Sequence, residues 1–175
     1  SAPNYSLVQP SGVTGVVTPK TITISDGTVA HKVYDGTTNA VITGGSLVGV
    51  LTSDASNVIL TQAGRFSSPN VSNGIIIITS ASISGTAAGN YTLTQPAGIT
   101  ANITPAMLGI SVVGVANGTN TISPISYTIN GLIGGQTITG LSSATVNNAN
   151  VANNGSNYVT SIVSSGGTAS LSNYS

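Results

Sequence analysis

Seven side chains carry the ionisable chemistry of this chain apart from its six tyrosines: Lys20, Asp26, His31, Lys32, Asp35, Asp54 and Arg65. Three aspartates could offer oxygens to calcium, but that ion takes six to eight oxygens and usually several clustered carboxylates. Asp26, Asp35 and Asp54 are dispersed instead. His31 could act as a general base, yet no nucleophile motif or orienting partner stands at a recognisable spacing from it. Lys20 or Lys32 could form an amide crosslink to an asparagine with an aspartate as proton shuttle, a reaction that needs all three groups in one dry core and is confined to residues 20–65. Tyr34-Asp35-Gly36-Thr37 could line a ligand; its turn chemistry fits a tight turn with the tyrosine packed on a sheet better. No cysteine is present, which excludes a disulfide scaffold and thiolate metal sites. The expectation is a protein that is not an enzyme and holds no metal or cofactor.

The rest of the sequence supplies little more chemistry. Charged residues make up 3% of the 175, against about a quarter in an ordinary soluble domain, and residues 66–175 hold none. No cluster of Lys and Arg exists to neutralise phosphates, so nucleic acid is excluded as a partner. Ser, Thr, Gly and Asn number 25, 24, 22 and 17, half of the chain. A membrane-spanning helix needs roughly 20 apolar residues in succession; the longest apolar run here is Ile75–Ile78, so membrane insertion is not expected. No basic region followed by an apolar stretch opens the chain, and Ser1 reads as the start of a mature or excised segment. Asn-X-Ser/Thr sequons begin at Asn4, Asn70, Asn90, Asn102, Asn117, Asn154 and Asn173. Three of these, Asn4, Asn90 and Asn173, recur in one context that suits a structural hydrogen bond between amide and backbone.

Hydrophobicity alternates with period two. Ile22 and Ile24, Ile99, Ala101 and Ile103, Leu108, Ile110 and Val112, and Ile125, Tyr127 and Ile129 each alternate with hydroxyl or other small residues, as strands with one buried face do. Asp26-Gly27, Asp35-Gly36, Asn73-Gly74, Asn117-Gly118, Asn130-Gly131 and Asn154-Gly155 supply the positive φ that tight hairpins require. Gln9-Pro10 and Gln95-Pro96 should interrupt strands. The expected class is all-β.

The chain repeats itself. Residues 2–19 align without gaps on residues 88–105, with 10 of 18 positions identical at an offset of 86. The shared signposts include Asn4-Tyr5 with Asn90-Tyr91, and Thr18-Pro19 with Thr104-Pro105; Asn173-Tyr174 answers to them once more. Ser46-Leu47-Val48-Gly49 is matched with Gly131-Leu132-Ile133-Gly134, Asn70-Val71 with Asn150-Val151, and Gly85-Thr86-Ala87 with Gly167-Thr168-Ala169. The position of Tyr34-Asp35-Gly36 falls on Asn120-Thr121-Ile122. A period of this length holds a whole small β domain. Residues 20–105 are expected to form one module and 106–175 a second that stops before its closing strands. Residues 1–19 would be closing strands of a preceding module, or else the first strands of the first one. About three residues, with Pro105 fixing φ, should link the modules stiffly.

Lys32-Val33-Tyr34-Asp35-Gly36-Thr37-Thr38, followed by Gly89-Asn90-Tyr91-Thr92-Leu93 and Ile103-Thr104-Pro105, resembles the YDG-type repeat of large bacterial exoproteins. The second half, with Tyr127-Thr128-Ile129-Asn130-Gly131-Leu132-Ile133-Gly134-Gly135, resembles the related glycine-rich bacterial (MBG) repeat. The resemblance implies two tandem, antiparallel, β-sandwich-like modules in an elongated rod. It also implies a place in a filamentous-haemagglutinin-like adhesin or biofilm matrix exoprotein, outside the cell or on its surface, exported with an outer-membrane secretion partner. The module would then be a stalk whose partners are neighbouring repeats or identical subunits. Two other readings stand beside it: a self-assembling filament subunit, in which residues 1–19 of one copy complete residues 106–175 of the next, and a glycan- or receptor-binding adhesin domain.

Overall fold

The computed structural model describes residues 4, 6, 8–115 and 117–175. Among them, regular structure is strand, and the helical pieces are single 3-10 turns of three residues. The chain is all-β, as the alternation of Val, Ile and Thr requires. No described helix is long and apolar enough to cross a membrane.

In the first half, β1 (Lys20–Val29) pairs antiparallel with β3 (Ile42–Val48) and parallel with β8 (Tyr91–Leu93). A second sheet runs β2 (Lys32–Val33), β9 (Thr100–Thr104), β6 (Ser72–Thr79), β5 (Gly64–Phe66), and a short pair joins β4 (Ile59–Thr61) to β7 (Ser82–Ser84). Burial follows period two: Ile75 and Ile77 of β6 are buried while Ile76 and Ile78 are exposed, and Ala101 and Ile103 of β9 are buried on either side of Asn102. Two apolar clusters result. One gathers Tyr34, Phe66, Ile75, Ile77, Ala101 and Ile103; the other gathers Ile22, Val58, Ala87 and Tyr91.

The second half pairs its strands in the same order. β10 (Gly109–Gly114) lies antiparallel to β12 (Pro124–Asn130), as β1 does to β3. β11 (Thr121–Ile122) joins β13 (Ile138–Val146) through Thr121 and Thr145, where the first half has the bridge between Asn39 and Arg65. β13 and β14 (Val159–Gly167) form one long bulged hairpin in place of the two interrupted pairs β4·β7 and β5·β6. The parallel contact of Lys20 with Tyr91 returns as that of Ala106 with Tyr174. Gly85 and Gly167 recur at matching sites, with φ of 106° and 119°. A β-carbon on either would collide with a carbonyl, that of Asn57 or that of Thr137, so glycine is required twice for one reason.

Several turn dipeptides serve other purposes than hairpins. Asp26-Gly27 lies inside β1, where Asp26 has φ of 56° and the pairing steps from Ser25↔Ser46 to Gly27↔Gly44. Asn73-Gly74 sits at a register shift within β6. The second is a bulge; at the first the register is unbroken, and Asp26 with the facing Gly44 and Gly45 takes positive φ inside a continuous pair of strands. Pro96 falls between β8 and β9 as expected. There the Gln95 amide substitutes for the lost ladder, donating to the Ala81 carbonyl at 2.7 Å and accepting from the Ala81 N–H at 2.9 Å.

Of the residues before Lys20, residues 8–19 are described throughout, and none of them belongs to a strand. They therefore supply no first strand to the first repeat. Val8, Val13, Val16 and Val17 are 76–97% exposed.

Candidate functional site at the joint between the repeats

The link between the two repeats is one residue long. Thr104 ends β9, and Ala106 already bonds to the far end of the chain: its N–H donates to the Asn173 carbonyl at 3.0 Å and its carbonyl accepts from Ser175 N–H at 2.9 Å. Pro105 alone stands between, with its φ fixed by the ring. Between the strands themselves, β9 and β10, stand four residues, 105–108, against the three or so expected, and all but Pro105 and Met107 are already bonded to the end of the second repeat.

Side chains from both repeats close over this link. Tyr34 and Tyr174, 4% and 8% exposed, meet edge to face with ring centroids 5.5 Å apart and planes at 78°, a favoured geometry for aromatic pairs. Gln136 ties their hydroxyls together: its Nε2 donates to the Tyr34 hydroxyl at 2.7 Å, and its Oε1 accepts from the Tyr174 hydroxyl. The Tyr174 oxygen also accepts from Ile133 N–H at 3.1 Å. Beside this pair Asn173, 2% exposed, accepts from Val71 N–H at 2.9 Å and donates to Asn70 Oδ1 at 3.0 Å. Ala106 and Tyr174 belong to the apolar cluster of the first repeat, so the two repeats share a core at their contact.

The first repeat contains half of the same arrangement. The Tyr91 hydroxyl accepts from Leu51 N–H at 3.2 Å and donates to Asp54 Oδ2 at 2.7 Å. Leu51 and Asp54 therefore correspond to Ile133 and Gln136. Burial, opposed by the Leu51 hydrogen bond and reinforced by the Asp54 carboxylate, raises the Tyr91 phenol above its ordinary value. Asn90, the counterpart of Asn173, is exposed and makes no side-chain hydrogen bond to a described residue. Asn4 is exposed, and Tyr5 lies outside the described residues.

The Tyr-Asp-Gly turn is built around the Asp35 carboxylate. Its Oδ1 accepts from Thr37 N–H at 2.8 Å, from Thr37 Oγ1 at 2.9 Å and from Lys32 Nζ at 2.8 Å. Partial burial pushes the carboxyl up, but these hydrogen bonds and the lysine charge outweigh it and hold Asp35 below the usual carboxylate range. Gly36 takes φ of 75°. Lys32 also donates to the Thr37 carbonyl and lies 5.3 Å from the Phe66 ring centre. No asparagine side chain is among its partners, so the crosslink has no geometry to support it among the described residues.

This turn corrects the alignment of the second half. Asn117 Oδ1 accepts from Thr119 N–H at 3.0 Å and from Thr119 Oγ1 at 2.9 Å, and Gly118 has φ of 77°. The counterpart of Asp35-Gly36-Thr37 is therefore Asn117-Gly118-Thr119, not Asn120-Thr121-Ile122. The position matching Tyr34 is Ala116, outside the described residues. Likewise Gly49 and Gly131, with φ of 98° and 93°, correspond, which moves Leu47 from Leu132 to Ile129. The hairpin after Pro105 is four residues shorter than the one after Pro19, and an ungapped offset cannot see this.

The remaining candidates stay apart. His31 Nδ1 accepts from Asn102 N–H at 2.9 Å and so anchors β9. Asp26, Asp35 and Asp54 occupy three separate places, and no group of three His, Cys, Asp or Glu gathers among the described residues. Pro19 is exposed just before β1 as Pro105 is before Ala106. Gln136 and Asn70, which carry the joint, gave no signal of their own; the match of Gln136 to Asp54 emerges only once the repeats are aligned with gaps.

Among known protein families, the YDG domain matches residues 18–99. No curated protein and no solved structure matches the chain.

Proposed function

We propose that the chain is a pair of structural repeats from a bacterial extracellular adhesin-like exoprotein, and that its work is to hold distance and shape outside the cell. One observation carries the reading: the repeats are locked together by a single proline, a shared apolar cluster and the Tyr34–Gln136–Tyr174 bridge. A module made only to fold needs none of these, whereas a rigid spacer needs all of them. The YDG domain at residues 18–99 supports the repeat-protein context, and we assign the second half to a glycine-rich relative of it. The few ionisable groups support a non-catalytic role. Lys32 and Asp35 neutralise each other within one turn, and Asp54 is spent on Tyr91.

Nuclear magnetic relaxation of the whole chain tests this. Both halves should tumble as one anisotropic body. Independent tumbling of residues 20–104 and 106–175 would refute the spacer reading.

A further inference from the structure

Four asparagines precede a glycine: Asn73, Asn117, Asn130 and Asn154. Such a pair can react with itself. The glycine nitrogen attacks the side-chain amide carbon, and no β-carbon stands in its way. Local geometry decides which pair does so. At Asn73 the nucleophile is tied down, since Gly74 N–H donates to Asn102 Oδ1 at 2.8 Å. Asn130 is held in β12 opposite Gly109, and Gly131 is wedged so tightly that a β-carbon would stand 2.6 Å from the Met107 carbonyl oxygen. Asn154 is exposed, but no described donor reaches its side chain.

Asn117 differs from all three. It is exposed to water, and Gly118 N–H donates to no described residue. Two donors converge on its Oδ1: Thr119 N–H at 3.0 Å and the Thr119 hydroxyl at 2.9 Å. We propose that Asn117 is a self-modifying site, at which the side-chain amide is converted to a carboxylate. Hydroxide takes the proton of Gly118 N–H, and the nitrogen forms a bond to Asn117 Cγ. Negative charge then gathers on Oδ1, where the two donors already point, as in an oxyanion hole. The Thr119 hydroxyl also lies 2.9 Å from the Thr121 carbonyl; its one proton serves one oxygen at a time, and the growing charge draws it to Oδ1. The Cγ–Nδ2 bond breaks, ammonia leaves with a proton from water, and a succinimide remains. Water opens that ring at Cγ to give aspartate, or at the main-chain carbonyl to give isoaspartate.

The aspartate product meets a turn already shaped for it. Asp35 accepts from the N–H and hydroxyl of Thr37 in the same way, around a glycine of φ 75° against 77° for Gly118. Two things differ. Asp35 has Lys32 beside it at 2.8 Å, whereas the residue three places before Asn117 is Gly114. Asn117 Nδ2 donates to the Thr121 carbonyl at 2.9 Å, and conversion sets an oxygen against that oxygen. The change therefore keeps the turn, releases Thr121 at the start of β11, and places an unpaired charge in residues 66–175, which otherwise hold none. The neighbouring Asn120 carbonyl accepts from Val146 N–H at 2.9 Å, so the loosening is passed to β13. This goes beyond the spacer reading and is independent of it.

Incubation of the whole chain at mildly alkaline pH, followed by peptide mapping with mass spectrometry, tests the proposal. Asn117 should convert to aspartate and isoaspartate ahead of Asn73, Asn130 and Asn154. Thr119→Val removes the hydroxyl and keeps the side-chain shape; it should slow conversion roughly three- to tenfold, the worth of one neutral hydrogen bond. Thr119→Ser should restore the rate, and Asn154 should convert at the same rate in every variant. Thr119 is exposed and lies outside both apolar clusters, so folding is not at stake. Asn117→Asp, which sets the product in place from the start, should speed amide exchange at Val146 and leave Thr119 protected. Conversion led by Asn154 overturns the proposal, and so does a rate at Asn117 that ignores the Thr119 hydroxyl. A Val146 amide unmoved by Asn117→Asp overturns the consequence drawn for β11.

Discussion

Asn117 does in the second repeat what Asp35 does in the first. Each side-chain oxygen accepts from the N–H and the hydroxyl of the threonine two residues on, around a glycine of nearly equal φ. One turn thus exists in an ionisable and a neutral version within a single chain.

Acid should separate the two versions. Asp35 titrates below its ordinary value, so its stabilisation is complete above the unfolded carboxyl pKa of about 3.9 and is lost as pH falls through the lower folded value. Amide exchange at Thr37 should therefore rise in that acid window while Thr119 stays unchanged. Asp35→Asn should abolish the pH dependence and keep the turn, at a cost below about 1 kcal/mol, because the Lys32 pair is largely solvent-screened.

Alkali should weaken the first repeat. The Tyr91 phenol is raised, so its contribution is fully present below the unfolded tyrosine pKa of about 10 and is lost as pH rises through the higher folded value. Tyrosinate absorbance should include a late-ionising phase that Tyr91→Phe removes. Loss of an ordinary-range phase on that substitution would contradict the burial and the Asp54 contact described for this hydroxyl.

Cavity-forming substitutions should differ between corresponding positions. Phe66 is enclosed at 1% exposure, so Phe66→Ala should cost about 3–5 kcal/mol. Val146 pairs with Val159 as Phe66 pairs with Ile77, but it is only half-buried and lines an open groove of about 870 Å³, so Val146→Ala should cost under about 1.5 kcal/mol, since little close packing is lost. Denaturant midpoints measure both, and equal losses would mean that the groove is closed in solution.

The Tyr34–Gln136–Tyr174 bridge should behave as a unit. Tyr34→Phe removes one hydrogen bond and should cost about 1 kcal/mol. Tyr174→Phe also strands Ile133 N–H and should cost about 2 kcal/mol. In a double-mutant cycle Tyr34→Phe should become nearly silent once Gln136 is Leu. Additive losses would show that the hydroxyls act separately.

Period-two alternation made the strands legible, since the exposed and buried isoleucines of β6 are spaced as the pleat demands. The Asn-Tyr and Thr-Pro signposts made the repeat legible because those residues hold its ends. Asp26-Gly27 misled as a hairpin signal because a distortion inside a strand can ask for the same left-handed residue as a tight turn. The joint was hidden for a different reason. Gln136 replaces Asp54 with a different residue type, and its partner Tyr34 is 102 positions away; no local pattern records such a contact. The correspondence of Asn117 with Asp35 was hidden by the four residues missing from the preceding hairpin.

The pairing of Lys20 with Tyr91 and of Ala106 with Tyr174 is parallel in both repeats, as is that of Lys32 with Ile103. Tension entering the first repeat at Lys20 and leaving at Thr104 therefore pulls along these ladders instead of across them. A ladder pulled across its axis parts one bond at a time, whereas one pulled along its axis must shear all its bonds together. Each repeat is closed at its entry by such a shear clamp, and the single proline passes the force to the next repeat without slack.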